Sequence, residues 1–224
     1  MNFVRLLMQS ASFAPLLRAN PVLHEIIAAP GHAGAATGFA LAVAGQMLAG
    51  AGRGAGRGDA LLWVHQDTAA TETGAQYAPG LAAFGIDPGR LVLARLRTPL
   101  DVLRAGLEGA RCPALGAVIV ETTAAIDFTA SRRLKLAAEK SGVRVVSILH
   151  ADVRAPTAAG VRWRVGGARS RTGDRPTFDV TLLKHPDGCP GLRHVIEWDR
   201  EQRTFVETLS EPLAAVSDSR PLAA

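Results

Sequence analysis

The sequence predicts an α/β domain, with a mostly parallel sheet flanked by helices and an antiparallel extension toward the C-terminus. Three observations carry this. Short Val/Ile/Leu runs alternate with Ala/Leu stretches from residue 23 to about 150. Those runs are apolar at successive positions, as strands buried on both faces are, so the alternation with helices implies crossover connections. Beyond residue 150 four strand-like runs follow one another with no helix between them, which suits antiparallel neighbours.

In chain order, residues 1–21 read as a weakly amphipathic lead-in helix, because Arg5, Gln9 and Ser10 interrupt the apolar run that a signal peptide needs. Its Phe3, Leu6, Leu7, Phe13, Leu16 and Leu17 either pack on its own domain or make it a candidate docking element for a second copy or a partner. The main domain is expected over 22–206. It begins with the strand VLHEIIAA and a helix over 36–49, then ALLWVH and a helix near 77–84. RLVLARL, a helix over 99–110, ALGAVIVE, a helix over 129–141 and VRVVSIL complete the alternating part. VRWRV, PTFDVTLLKH, HVIEWD and RTFVE form the extension, and 207–224 reads as a polar, Pro-containing tail. AGRGAGRGD at 51–59 follows a helix rather than a strand, so it is a surface loop and not a phosphate fingerprint.

A chain of 224 residues suffices for one substantial core. No uninterrupted apolar stretch of about 18 residues occurs, so a soluble, cytoplasmic protein without membrane contact is expected. Cys112 and Cys189 stand far apart, outside any C-x-x-C pattern, and suggest neither a disulfide framework nor a zinc site. The histidines show no ligand spacing, and Ser131 has no evident base, so neither metal, cofactor nor nucleophilic triad is expected. The net charge of +5 is mostly arginine and permits an anionic partner, although a GC-rich genome produces the same excess.

AAPGHAGAAT, residues 28–37, lies between the first strand and first helix, where a phosphate-binding loop would be. Laid on G-x-x-x-x-G-K-[ST], Ala29 takes the first glycine, Pro30, Gly31, His32 and Ala33 fill the middle, and Gly34 is the second glycine. Ala35 replaces the lysine and Ala36 the hydroxyl residue, with Thr37 one place late. Without that cation and magnesium ligand, the charge stabilisation on which phosphoryl transfer depends is missing. Glu121 ends a buried strand where a magnesium-linked acid belongs, and Gln66 falls near a water-activating position; a strand-end carboxylate that caps a neighbouring loop or helix is the alternative for Glu121.

Two basic segments are candidate contacts for DNA or an acidic partner. TASRRLKLAAEKSG sets Arg132, Arg133, Lys135 and Lys140 opposite Leu134, Ala137 and Ala138, which also describes a solvated helix face. ADVRAPTAAGVRWRVGGARSRTGDR carries Arg154, Arg162, Arg164, Arg169, Arg171 and Arg175 against Asp174. There the period of two sends Val161, Trp163 and Val165 to one sheet face and Arg162 and Arg164 to the other. Few aromatics accompany them, which argues against a dedicated single-strand platform.

The degenerate loop, YAPGLAAFGIDPGRL, CPALGAVI, TASRRLKLAAE and RWRV together resemble the ImuA-type proteins, RecA-like accessory proteins of inducible mutagenesis in bacteria, over roughly residues 22–200. The resemblance implies a RecA-like core with no enzymatic role, working after SOS induction in translesion synthesis. It implies partnership with an inactive Y-family polymerase relative (ImuB type) and an error-prone C-family DNA polymerase, contact with RecA, weak DNA binding, self-association and a place on the nucleoid when partners are bound. The chain departs from the family in its short lead-in. TTAAIDF is also too short for the first DNA loop of RecA, while the arginine-rich segment after residue 150 stands where RecA has its second. A SulA-type division inhibitor and a divergent P-loop ATPase are the alternatives.

Overall fold

The computed structural model describes residues 13, 16, 21–50, 58–67, 76–150, 155–171, 173–187 and 190–208. Residues 51–57 of the expected surface loop, Arg154, Cys189, most of the lead-in and residues from 209 on lie outside them.

One nine-stranded sheet organises the chain, in the order β3-β2-β4-β5-β1-β6-β7-β8-β9. β1 (Leu23–Ala28), β2 (Ala60–Gln66), β3 (Leu91–Leu96), β4 (Leu115–Thr122), β5 (Arg144–Leu149) and β6 (Val161–Gly167) are parallel. β7 (Thr177–Lys184), β8 (Arg193–Asp199) and β9 (Thr204–Glu207) continue it antiparallel. The expected extension is therefore present, except that its first strand, VRWRV, runs parallel to β1 and turns direction only at β7.

Among the described residues four helices with complete bounds cover the faces: α1 (Ala33–Gly50), α2 (Ala78–Ala83), α3 (Pro99–Arg111) and α4 (Phe128–Ser141). α1 is Ala- and Gly-rich, with Ala36 to Gly45 largely buried, because it lies flat over the sheet centre. It is long and apolar enough to cross a membrane by length and composition, a property hidden from a search for unbroken apolar runs by its Gly, Thr and Gln residues. Gly45 lets it approach the chain after α2, since a Cβ there would stand 2.1 Å from the Phe84 carbonyl oxygen.

α3 starts at the Thr98 hydroxyl, which accepts from Asp101 N, with Pro99 at its first position. α4 starts at Asp127, whose carboxylate accepts from Ala130 N at 2.7 Å, and stops at Gly142 in the left-handed region, φ 80°.

The two sheet faces bury separate cores. On the α1 face Ile26, Trp63, Ile119, Ile148, Trp163 and Val165 meet Phe39 and Ala40, and an aromatic group of Phe178, Trp198 and Phe205 extends the layer over β7 to β9. On the other face Val64, Val118, Val120 and Val145 pack against Val102 of α3 and Leu134 and Ala138 of α4. Phe13 and Leu16 of the lead-in are buried in the first core. Parallel strands capped by helices bring β1, β2, β4 and β5 to a shared C-terminal edge, where this fold class places ligands.

Candidate functional site

The connection from β1 to α1 is the four-residue turn Ala29-Pro30-Gly31-His32. His32 N donates to Ala29 O at 2.9 Å, and Gly31 has φ 75°. Proline at the second position and a left-handed glycine at the third make a type II turn, the conformation this dipeptide favours. A cradle for phosphate needs backbone N–H groups turned toward the ligand. Here the His32 N–H closes the turn, Ala29 N donates to Val165 O at 2.8 Å, and Ala35 N and Ala36 N both donate to His32 O. The His32 ring accepts from Gly167 N at 3.1 Å through Nδ1, which ties the turn to the end of β6.

Ala35 packs against the α1-face core and Ala36 is wholly buried there, so the two positions that would carry the lysine and hydroxyl are filled by packing. Ala33 lines an open groove of about 520 Å³ together with Ala28, Ala29, Pro30, Gly31, His150 and Arg164. Gly34 opens the helix beside it, with nothing within 4 Å of a Cβ built on it.

Glu121, at the end of β4, is wholly buried and gathers three donors around its carboxylate. The Trp63 indole N–H donates at 2.9 Å, the Thr37 hydroxyl at 3.2 Å, and His150 Nε2 lies at 2.8 Å. Thr37, one place late in the sequence pattern, thus reaches the acid all the same, because one further step along α1 points its side chain at the sheet. A carboxylate with these partners is satisfied without a cation. The partners it receives are an indole, a hydroxyl and an imidazole, side chains rather than the backbone N–H groups of the loop or helix cap weighed for it from the sequence.

His65, two residues beyond Trp63 on the same face, is buried, and burial holds its imidazole below the ordinary range, with the Glu121 charge working in the opposite direction. Gln66 is not free to position water. Its amide oxygen accepts from Thr123 Oγ1 at 3.0 Å, and from Thr123 N and Thr122 Oγ1 at 3.3 Å. It ties the end of β2 to the end of β4. Among the described residues no three His, Cys, Asp or Glu side chains converge as a metal would require.

The arginines of β6 do not form an open row. Arg162 is buried and paired with Glu25, its neighbour in the β1 register, and Thr157 donates to the other Glu25 oxygen at 2.9 Å. Period two assigns Arg162 its face correctly; what it omits is the cover laid over that face by the chain before β6. Lys184 Nζ reinforces that cover through Thr157 O at 2.9 Å, and Ser131 Oγ accepts from Ala158 N at 3.0 Å, which gives Ser131 a structural task. Arg162 is therefore removed from the surface contacts expected of it.

Arg164 is half-buried at the groove, and Arg169 and Arg171 are exposed beyond β6. Arg175 pairs with Asp199 at 2.9 Å, and Arg154 lies outside the described residues. On α4, Arg132 and Arg133 are exposed, whereas Lys135 lies 3.7 Å from Glu139.

Sequence reasoning missed the Trp63, Thr37 and His150 shell of Glu121. No local signal marks them, because they stand 58, 84 and 29 residues from Glu121 and only the pairing of β2 and β5 with β4 and the packing of α1 bring them together.

No protein-family model and no curated protein sequence matches the chain. Among solved structures, the crystal structure of the RadB recombinase is similar over 84% of this chain and 90% of that one, with a TM-score of 0.55 at 15% identity. The likeness shows the fold: a RecA-like α/β core.

Proposed function

We propose that this chain is a non-catalytic RecA-like accessory protein of error-prone, damage-induced DNA synthesis, acting in the bacterial cytoplasm through protein contacts. The observation that carries the non-catalytic part is the closed shell of Glu121: Trp63, Thr37 and His150 occupy the carboxylate that would hold magnesium. The type II turn, the buried Ala36 and the partly buried Ala35 point the same way. The role in translesion synthesis rests on the resemblance to ImuA-type proteins, and with it the partners: an ImuB-type polymerase relative, an error-prone C-family polymerase and RecA.

One observation favours a divergent ATPase instead. The Thr37 hydroxyl stands 3.2 Å from Glu121, and a hydroxyl beside an acid is the pair a magnesium site uses. The missing lysine outweighs it: the turn itself carries neither Lys nor Arg, and the cation at its groove, Arg164, comes from β6 rather than from the phosphate-binding position at the helix start.

Purification of the tagged full chain from cells exposed to DNA damage tests the proposal. A polymerase-like partner is the expected outcome. Recovery of a division protein instead would favour the SulA-type alternative, and magnesium-dependent ATP turnover by the pure protein would overturn the non-catalytic assignment.

A further inference from the structure

α4 turns two unlike faces outward and inward. Ser131, Leu134 and Ala138 are buried against the sheet. Phe128, Arg132 and Leu136 succeed one another at intervals of four on the opposite side, with Arg133 and Lys140 beside them. Phe128 is 48% exposed and Leu136 54% exposed, large values for apolar side chains sharing one helix face.

The charges on this face also lack local work. On α3, Arg104 pairs with Asp101 and Arg111 with Glu108 within the helix. On α4, the acid Glu139 is taken by Lys135, and Arg132, Arg133 and Lys140 have no carboxylate partner among the described residues. Lys140 sits in the last turn, where a cation suits the helix dipole. Arg132 and Arg133 lie in the N-terminal half, where the dipole offers cations nothing.

We infer that this outward face of α4 docks an amphipathic, acidic segment of a protein partner, with apolar anchors on Phe128 and Leu136 and carboxylates on Arg132 and Arg133. The inference rests on the accessory role proposed above and names the surface that role would use. Charge complementarity selects the occupant: two unpaired guanidiniums flanking two apolar side chains match a segment with the reverse charge and the same apolar spacing. Nucleic acid fits less well. Phosphates would meet the arginines and a base could stack on the Phe128 ring, but Leu136, the more exposed of the two apolar side chains, would be left in water.

The test places a photo-cross-linking residue at Leu136 of the full chain in damaged cells and sequences the cross-linked peptide. An adduct with a segment rich in Asp and Glu around apolar positions is expected. Arg132→Glu with Arg133→Glu should reduce its yield about tenfold, the effect of losing two partly exposed ion pairs. The matching change on α3, Arg104→Glu with Arg111→Glu, should leave it unchanged. No adduct, an adduct with nucleic acid, a peptide without acidic residues, or equal loss from both double variants overturns the docking face. An acidic peptide from a protein unrelated to DNA synthesis retains the docking face and overturns the proposed function instead.

Discussion

The Trp63 indole N–H donates to the Glu121 carboxylate at 2.9 Å across adjacent strands β2 and β4, with both side chains buried on the α1 face. An indole is a donor only, and here it takes one oxygen of the acid, Oε2, while Thr37 and His150 meet the other. Removing the acid would strand Trp63, Thr37 and His150 without their common acceptor. We expect Glu121→Ala to cost about 3 kcal/mol of stability, and Glu121→Gln less, because the amide oxygen still accepts one bond. Urea denaturation of the two variants measures this, and an unchanged midpoint for Glu121→Ala would show that the shell contributes nothing to folding.

The pure protein should hydrolyse no ATP above background, and Ala35→Lys with Ala36→Thr should not create activity. Ala36 is wholly buried, so a threonine there adds volume and a hydroxyl to a filled core, at a cost of about 1–3 kcal/mol. The His32 N–H also remains committed to the turn. Phosphate release above that of a heat-treated control, from either protein, would contradict this.

How much of this was visible in the sequence differs by level. The strands and helices were visible within a residue or two, except at α1, which begins at Ala33 rather than 36, because continuous apolar runs and the Ala/Leu stretches between them are local. Pro30-Gly31 was equally local, yet its place after a strand drew attention to the phosphate pattern rather than to the turn it forms. Arg162 was assigned the right face but not its burial, since Glu25 is 137 residues away and only the pairing of β6 with β1 brings them together. The shell of Glu121 was hidden for the same reason: cross-strand partners depend on strand order, which periodicity does not encode.

Acid should destabilise the fold through buried histidine. Burial, assisted by the charges of Arg144 and His185, pushes His24 down to about 3 from an ordinary 6.5. Between those values the unfolded chain binds the extra proton. The contribution of neutral His24 is therefore complete above pH 6.5 and is lost as pH falls toward 3, by up to about 1.4 kcal/mol per pH unit. His24→Leu should flatten the dependence of stability on pH between 6 and 4 by about one proton. Denaturation midpoints across that range decide it, and an equally steep acid limb would assign the effect to other groups.

Any DNA binding should run through Arg169 and Arg171 rather than Arg162. Both are exposed beyond β6, whereas Arg162 answers the buried charge of Glu25. Arg169→Ala with Arg171→Ala should reduce the slope of log affinity against log salt by about two phosphate contacts. Arg162→Ala should instead lower stability by about 3–5 kcal/mol, as the loss of one partner of a buried pair does. A salt slope unaltered by the first pair, measured by fluorescence anisotropy with single-stranded DNA, would place the contact elsewhere.

The lead-in belongs to the core at the two positions where it is described. Phe13 is 1% exposed, its ring centroid 5.4 Å from Trp163, 5.5 Å from Phe205 and 6.4 Å from Phe39, and its backbone N–H donates to Glu207 at 2.7 Å. Leu16 is buried as well, and its carbonyl oxygen lies 3.0 Å from His185 Nε2. From the sequence this apolar surface suited either its own domain or a docking role; at Phe13 the aromatic layer over β6 to β9 uses it at home. Phe13→Ala should cost about 3–5 kcal/mol, since it opens a cavity among three rings that helices and strands on several sides hold in place. Deletion of residues 1–18 should destabilise the domain at least as much and expose Trp163 and Phe205 to dye binding and proteolysis. If the truncated protein instead melts at the temperature of the full chain while losing its partner, Phe13 is dispensable to the fold and the segment's task is docking.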